Sequence, residues 1–413
     1  MIIKIKYRTS FGVISAMVLL VFLLSHCINN TKIDKEADEN DFENYIGSEK
    51  CASCHRDIYE KHLQTAHHLT SQPAEKQFIK GSFEKDSNKF WYTPYLAVAM
   101  EKRDSGFYQV VYFRNDEKLA IRFDISIGSG VMGQSYLNWR QNRLYQMPVT
   151  YFTAAGQWSN SPGFPNDKVL TDRPVTSRCL ECHTTFSKGE EGTAMEPLSF
   201  PPDKMILGVG CEKCHGPAAM HVDYQTKHPG DTVAKYIVNP YSLSRQQQLD
   251  ICAVCHGGKI KKTKPSFSFT AGKNLSDYFI INDISETAMA SGEVEVHGNQ
   301  YGLLRASKCF KQSSMTCNTC HNTHQNERKN MALFSGRCIN CHDVKQDNFK
   351  TNTHNGVANI TQNCIDCHMP QQPSKSIAVH LQGKREPIAS LIRSHYIGIY
   401  PDKTKKFINK NTD

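Results

Sequence analysis

Seven copies of one pattern, Cys-x-x-Cys-His, constrain this chain more than anything else in its sequence. They are Cys51, Cys54 and His55; Cys179, Cys182 and His183; Cys211, Cys214 and His215; Cys252, Cys255 and His256; Cys317, Cys320 and His321; Cys338, Cys341 and His342; and Cys364, Cys367 and His368. At this cysteine and histidine content chance would supply about 0.03 copies. Each copy offers two thiols able to form thioethers with the vinyl groups of a haem, and an imidazole placed to bind the iron from the same side. The expectation is seven covalently bound c-type haems, held by the fourteen motif cysteines, with His55, His183, His215, His256, His321, His342 and His368 as proximal ligands. Structural zinc also uses Cys-x-x-Cys pairs, but it has no need of a histidine directly after the second cysteine every time. A disulfide scaffold and a cytosolic thiol enzyme are excluded on the same pattern.

Haem also accounts for a lean core. Only 39% of the 413 residues are apolar, and each macrocycle is a large apolar plate around which side chains pack. The formal charge of +9 is largely cancelled once haem propionates are counted, so it does not point to nucleic acid. The cluster Lys259, Lys261, Lys262 and Lys264 reads as a solvated loop or as a docking patch for an acidic partner.

Lys4, Lys6 and Arg8 precede an apolar run from Phe11 to Leu24 with no acidic residue, the build of a secretory signal and shorter than a comfortable membrane span. Leu24-Ser25-His26-Cys27 resembles a bacterial lipobox, so Cys27 reads either as a lipid anchor to the membrane or as an unmodified cysteine ending a signal. The expected location is periplasmic or outer-membrane-associated.

The expected organisation is a signal or lipoprotein peptide over 1–27, a polar linker over 28–44, a first haem segment over 45–85, a haem-free β-rich insertion over 86–175, a six-haem domain over 176–400 and a polar tail over 401–413. The insertion lacks cysteine and histidine and holds all three tryptophans, Trp91, Trp139 and Trp158. Leu119 to Ile127 alternates apolar and polar residues as a half-buried strand does, and pairs with Phe107 to Phe113 across a turn at Arg114 to Lys118. A second hairpin joins Ser135–Arg140 to Leu144–Phe152 through Gln141-Asn142, with Pro148 demoting part of the last strand to an edge. His55 to Leu69 reads as one helix. The expected fold class is a mainly α multihaem cytochrome, short helices and long loops around packed haems, with an inserted antiparallel β module.

Outside the motifs and His26 stand ten histidines, among them His62, His228 and His380. This surplus is enough to cap every iron on its second face. The candidate distal ligands are His67, His68, His221, His297, His324, His354 and His395. A histidine a few residues beyond its own motif cannot reach the far face of its own ring, so His67 or His68, His221 and His324 must cross to neighbouring haems. Cys309 is the odd thiol, read as a buried free cysteine or as one lining a pocket.

Tyr45-Ile46-Gly47 leading into the first motif, Cys211-Glu-Lys-Cys214-His215-Gly-Pro with His221 after it, and Cys364-Ile-Asp-Cys367-His368-Met-Pro resemble the multihaem cytochromes grouped around the cytochrome c-554-type domain. Their relatives include octahaem hydroxylamine oxidoreductase and pentahaem nitrite reductase. The resemblance implies distal ligands at His67 or His68, at His221 and at His395. The chain departs from these relatives in having seven motifs in place of eight and in lacking Cys-x-x-Cys-Lys, the mark of the nitrite reductase active haem. The functional expectation is therefore an exported carrier passing electrons between redox proteins of the envelope. The alternative is an oxidoreductase acting on a small nitrogen or sulfur compound at one five-coordinate haem.

Overall fold

The computed structural model describes residues 41–189, 198–282, 284, 294–342 and 360–401. The leader with Cys27, His354 and most of the 28–44 linker and of the 401–413 tail lie outside the described residues.

Between the first and second motifs the regular elements after the first helix are almost all strands. It runs through β1 (Ser71–Pro73), β2 (Lys89–Thr93), β3 (Leu96–Arg103), β4 (Gly106–Phe113), β5 (Asp116–Arg122), β6 (Ile125–Ile127), β7 (Gly133–Arg140), β8 (Arg143–Gln146), β9 (Val149–Phe152), β10 (Gln157–Asn160) and β11 (Arg173–Pro174). β2 to β5 form a four-stranded antiparallel meander. The second sheet has the order β1-β6-β7-β8-β11, with β9 beside β7 and β10 beside β9. Phe90, Tyr92, Val98, Met100, Val111 and Ile121 of the meander pack against Phe123, Tyr136, Met147, Val149 and Trp158. The sheets thus bury an aromatic core of their own.

Both hairpin turns form as two-residue turns with positive φ at each position, Arg114 (51°) with Asn115 (68°), and Gln141 (49°) with Asn142 (62°). Such turns match the twist of the strands they join. The alternating run Leu119–Ile127 does not stay in one strand. Phe123 still donates its N–H to Phe107 of the meander, whereas Asp124 donates to Leu137 of the second sheet. The Asp124 carboxylate also accepts from the Trp139 N–H at 2.7 Å and the Asn138 amide at 3.0 Å, so the chain changes sheets there. Pro148 interrupts rather than forming an edge. β8 and β9 both pair with β7, and β9 lies between β7 and β10, so the missing proline N–H falls in the break between them.

The expected mainly α architecture is not what the chain adopts: 29% is helix and 26% strand. Antiparallel pairs also thread the haem-motif region, Thr184–Ser187 with Met205–Leu207, Lys261–Lys262 with Phe279–Ile280, and Gln371–Val379 with Ile388–Arg393. The physical reason is economy at the motif. Cys-x-x-Cys-His needs a single helical turn, and the linking chain satisfies its backbone in hairpins. The helix read from His55 to Leu69 is shifted, running Ser48–His62 with non-helical angles at His55. It stops where Thr65 donates its hydroxyl to the His62 carbonyl at 2.7 Å and accepts the His68 N–H at 3.2 Å.

Candidate haem sites

Every motif coincides with helical backbone: within Ser48–His62, Ser177–His183, Cys211–His215 and Arg245–His256, at Cys317–Thr319, in the helix Met331–Ile339 and its end, and at Ile365–His368. In the last three the histidine N–H donates to the carbonyl of the first cysteine, at 3.0, 3.0 and 3.1 Å. One turn places residues i, i+3 and i+4 on a common face, which brings two thiols and an imidazole to one side. Carboxylates inside two motifs fix those turns to distant chain. Glu212, 2% exposed, accepts the N–H groups of Ile46, Gly47 and Ala218 at 3.0, 2.9 and 3.0 Å. Glu181, 1% exposed, accepts the Phe267 N–H at 2.7 Å and pairs with Arg178 at 2.7 Å.

The motifs meet one another through their first or second cysteines. Cys51 shares a thiol hydrogen bond with Cys211, Cys182 with Cys255, Cys252 with Cys317, and Cys338 with Cys364. The bond from Cys51 draws the Cys211 thiol down to about 6, and that from Cys338 does the same to Cys364. Cys214 lies within electrostatic reach of Cys252, and Cys341 within reach of Cys320. Cys309 falls beside this last group; burial pushes its thiol up, and Cys341 adds to the effect.

The motif thiols are not all enclosed, as a fully packed array would have them: Cys54, Cys179 and Cys341 are exposed. Cys54 departs furthest from the thiol pairs. Its Sγ accepts the hydroxyl of its own neighbour Ser53 at 3.8 Å, and His55 beside it is exposed too.

The imidazoles form a second set of pairs. His67 and His256 have ring centres 6.1 Å apart, His215 and His324 6.0 Å, and His321 and His395 6.2 Å. An imidazole nitrogen sits about 2.0 Å from a first-row metal. With the ring centre roughly 1.1 Å behind it, two imidazoles on opposite sides of one metal would have centres about 6.2 Å apart. In each pair one member is a motif histidine and the other comes from elsewhere in the chain, so the donor set fits a bis-imidazole haem. His183 and His297 also lie within electrostatic reach of each other.

The remaining ring nitrogens fit the same chemistry. The Nδ1 atoms of His183, His215, His256 and His368 face Thr70 Oγ1, the Val238 carbonyl, Gln300 Oε1 and the Gly398 carbonyl at 2.9, 2.9, 2.9 and 2.8 Å. His221 Nδ1 faces the Lys235 carbonyl at 2.8 Å and His395 Nδ1 the Arg393 carbonyl at 3.3 Å. A proton on Nδ1 leaves Nε2 with a lone pair for a metal and fixes the ring orientation. Burial holds His67, His183 and His395 down to about 4, neutral and able to ligate near neutral pH. His62 is the contrast, because it spends Nε2 on the Val209 carbonyl at 3.0 Å. Its ring stands 6.0 Å from that of His68, and neither is a motif histidine. The His228 ring packs tilted against Tyr224 with centres 4.4 Å apart, and His380 Nδ1 faces the Asn166 amide at 3.3 Å. The partners at Thr70, Val238, Gln300 and Gly398 had no signal in the sequence, since they lie 23 to 113 residues from the imidazoles they orient.

A family model for cytochrome c554 and c-prime matches residues 137–216, from β7 through the third motif, and one for the N-terminal region of the NapC/NirT cytochrome c family matches 334–399. The C-type polyheme cytochrome OmcC of Geobacter sulfurreducens is 26% identical over 231 residues. The chain is a multihaem c-type cytochrome. The alignment with OmcC takes in 45% of this cytochrome and 28% of OmcC, so the cytochrome spans under a third of that relative's length. Its fold is similar to that in the crystal structure of the outer cell wall cytochrome OcwA, with a TM-score of 0.55 at 14% identity, over 89% of this cytochrome and 82% of OcwA. Among the described residues no helix is long and apolar enough to cross a membrane.

Proposed function

We propose that this cytochrome carries seven covalent haems and passes electrons along them between redox partners in the cell envelope. The observation that carries this reading is the continuity of the motif contacts. Through hydrogen-bonded cysteines the first motif meets the third, the second the fourth, the fourth the fifth and the sixth the seventh, while the third lies within electrostatic reach of the fourth and the fifth of the sixth. Thioethers leave a haem from its vinyl-bearing edge, so touching cysteines bring neighbouring ring edges together. A haem iron with two imidazole ligands supplies one-electron chemistry without ligand exchange.

The chain's own residues hold that state. On the ring spacings, His67 stands opposite His256, His324 opposite His215 and His395 opposite His321. His297 is assigned to the haem of His183, within whose electrostatic reach it lies, and His68 and His221 remain candidates for the haems still to be capped. The Nδ1 contacts of His183, His215, His221, His256, His368 and His395 favour one tautomer and one orientation of those rings. An envelope location accords with the outer cell wall named for OcwA and with the sequence reading of the leader.

The test is protein-film voltammetry on the exported protein, with intact mass alongside. The expected result is seven reversible electrons per molecule and a mass increase of about seven times 616 Da. Fewer electrons than attached haems, or a mass short of seven, would overturn the proposal.

A further inference from the structure

The β sheets contain a feature that electron transfer does not use. A groove of about 240 Å³ opens on the face of the β2–β5 meander away from the aromatic core, lined by Lys89, Trp91, Ala97, Glu101, Tyr112 and Asn115. Its shape follows from the register. Trp91 pairs with Ala97, and Ala97 with Tyr112, so an alanine floor lies between two aromatic walls attached about 9.6 Å apart, twice the strand spacing.

The polar groups around it are available for a guest. Trp139 and Trp158 donate their indole N–H groups to the carbonyls of Phe200 and Ser82, at 3.0 and 2.8 Å, whereas the Trp91 indole N–H has no partner among the described residues. The same holds for the Lys89 ammonium and the Asn115 amide. Glu101 is held in place by the Tyr112 hydroxyl at 2.7 Å and by Arg103 at 2.9 Å, and its carboxylate keeps further lone pairs to accept with.

We propose that this groove binds a saccharide, one pyranose ring of a polysaccharide lying between Trp91 and Tyr112. A pyranose has an apolar C–H face that packs on an aromatic ring, and an equator of hydroxyls that both donate and accept. Trp91, Lys89 and Asn115 supply donors, and Glu101 and Asn115 acceptors. A planar redox shuttle would need to approach a haem, and no residue of a haem motif lines the groove. The proposal stands independently of the electron-transfer reading and gives the β sheets a role in holding the cytochrome on a glycan surface.

The test is co-sedimentation of the intact holoprotein, followed by haem absorbance, with peptidoglycan sacculi, chitin and starch granules as separate probes. Sedimentation with at least one probe is expected, weakened about ten-fold or more in Trp91→Ala and in Tyr112→Ala. Ala97→Leu, which keeps both aromatics and fills the floor, should weaken it equally at unchanged haem content, and it carries the test if an aromatic variant fails to fold. No sedimentation with any probe, or sedimentation that folded variants retain, would overturn the proposal.

Discussion

Replacing His67 with alanine probes the axial pairing most sharply, because the ring pairs differ in angle as well as in chain origin. His67 and His256 are inclined at 65°, whereas His215 and His324 lie at 19° and His321 and His395 at 28°. The angle between two axial imidazoles sets how far the iron d orbitals split. Near-parallel rings give a rhombic low-spin ferric signal, and steeply inclined rings a signal with one very large g value. His67→Ala should therefore remove one iron's worth of large-g signal and add high-spin intensity from one iron in seven, about 14%. Total haem should not change, since Cys252 and Cys255 still hold the ring. Low-temperature electron paramagnetic resonance of the oxidised protein reads the signals, and pyridine haemochrome absorbance reads the haem. His324→Ala should instead take its one iron from the rhombic set. His62→Ala is the control. Its Nε2 is bonded to the Val209 carbonyl, so the expected loss is about 1–2 kcal/mol of stability with no change of spin. If His67→Ala depletes the rhombic set, or His62→Ala creates high-spin iron, the pairing from ring spacing is refuted.

Three further outcomes follow from the packing. The Arg337 guanidinium holds the Glu327 carboxyl down to about 2, against an ordinary 4.5, and this pair ties the fifth motif to the sixth because Arg337 also donates to the Cys320 carbonyl at 2.6 Å. A depressed carboxyl stabilises the fold above its ordinary value and loses that contribution as pH falls toward 2, so Glu327→Gln should flatten acid unfolding in that window when followed by circular dichroism. Gly81→Ala should lower stability by about 2–3 kcal/mol in a thermal melt, since Gly81 has φ of 97° and an added Cβ would lie 2.5 Å from the Trp158 ring. Tyr136→Phe should cost about 1–2 kcal/mol in the same assay, because the fully buried hydroxyl has the Lys80 carbonyl at 2.8 Å and Gln134 Oε1 at 2.9 Å as alternative acceptors.

That the chain is a multihaem c-type cytochrome was legible because the attachment pattern is local: two thiols and an imidazole must share one helical turn, and the spacing says so. The hairpins at Asn115 and Asn142 were legible for the same reason. What the sequence concealed is long-range. The run Leu119–Ile127 alternates without a break, yet Asp124 carries it into a second sheet by hydrogen bonds to Leu137, Asn138 and Trp139. The stretches Thr184–Ser187 and Gln371–Val379 directly follow motif helices, and nothing local marks them as strands, so the fold read as more helical than it is. The motifs also look equivalent in sequence, and which thiols meet, as Cys182 meets Cys255, depends on where distant helices arrive. Among the spare histidines, His62 and His67 look alike in sequence. They differ in what Nε2 faces, which depends on where Val209 and His256 arrive in space.

The central claim, an electron carrier with every iron capped on both faces, is tested most directly by adding carbon monoxide to the fully reduced protein and recording the Soret band. An unchanged spectrum is the expected result. A shift amounting to one haem in seven or more would reveal an iron open to small molecules and contradict the account in favour of catalysis at that haem.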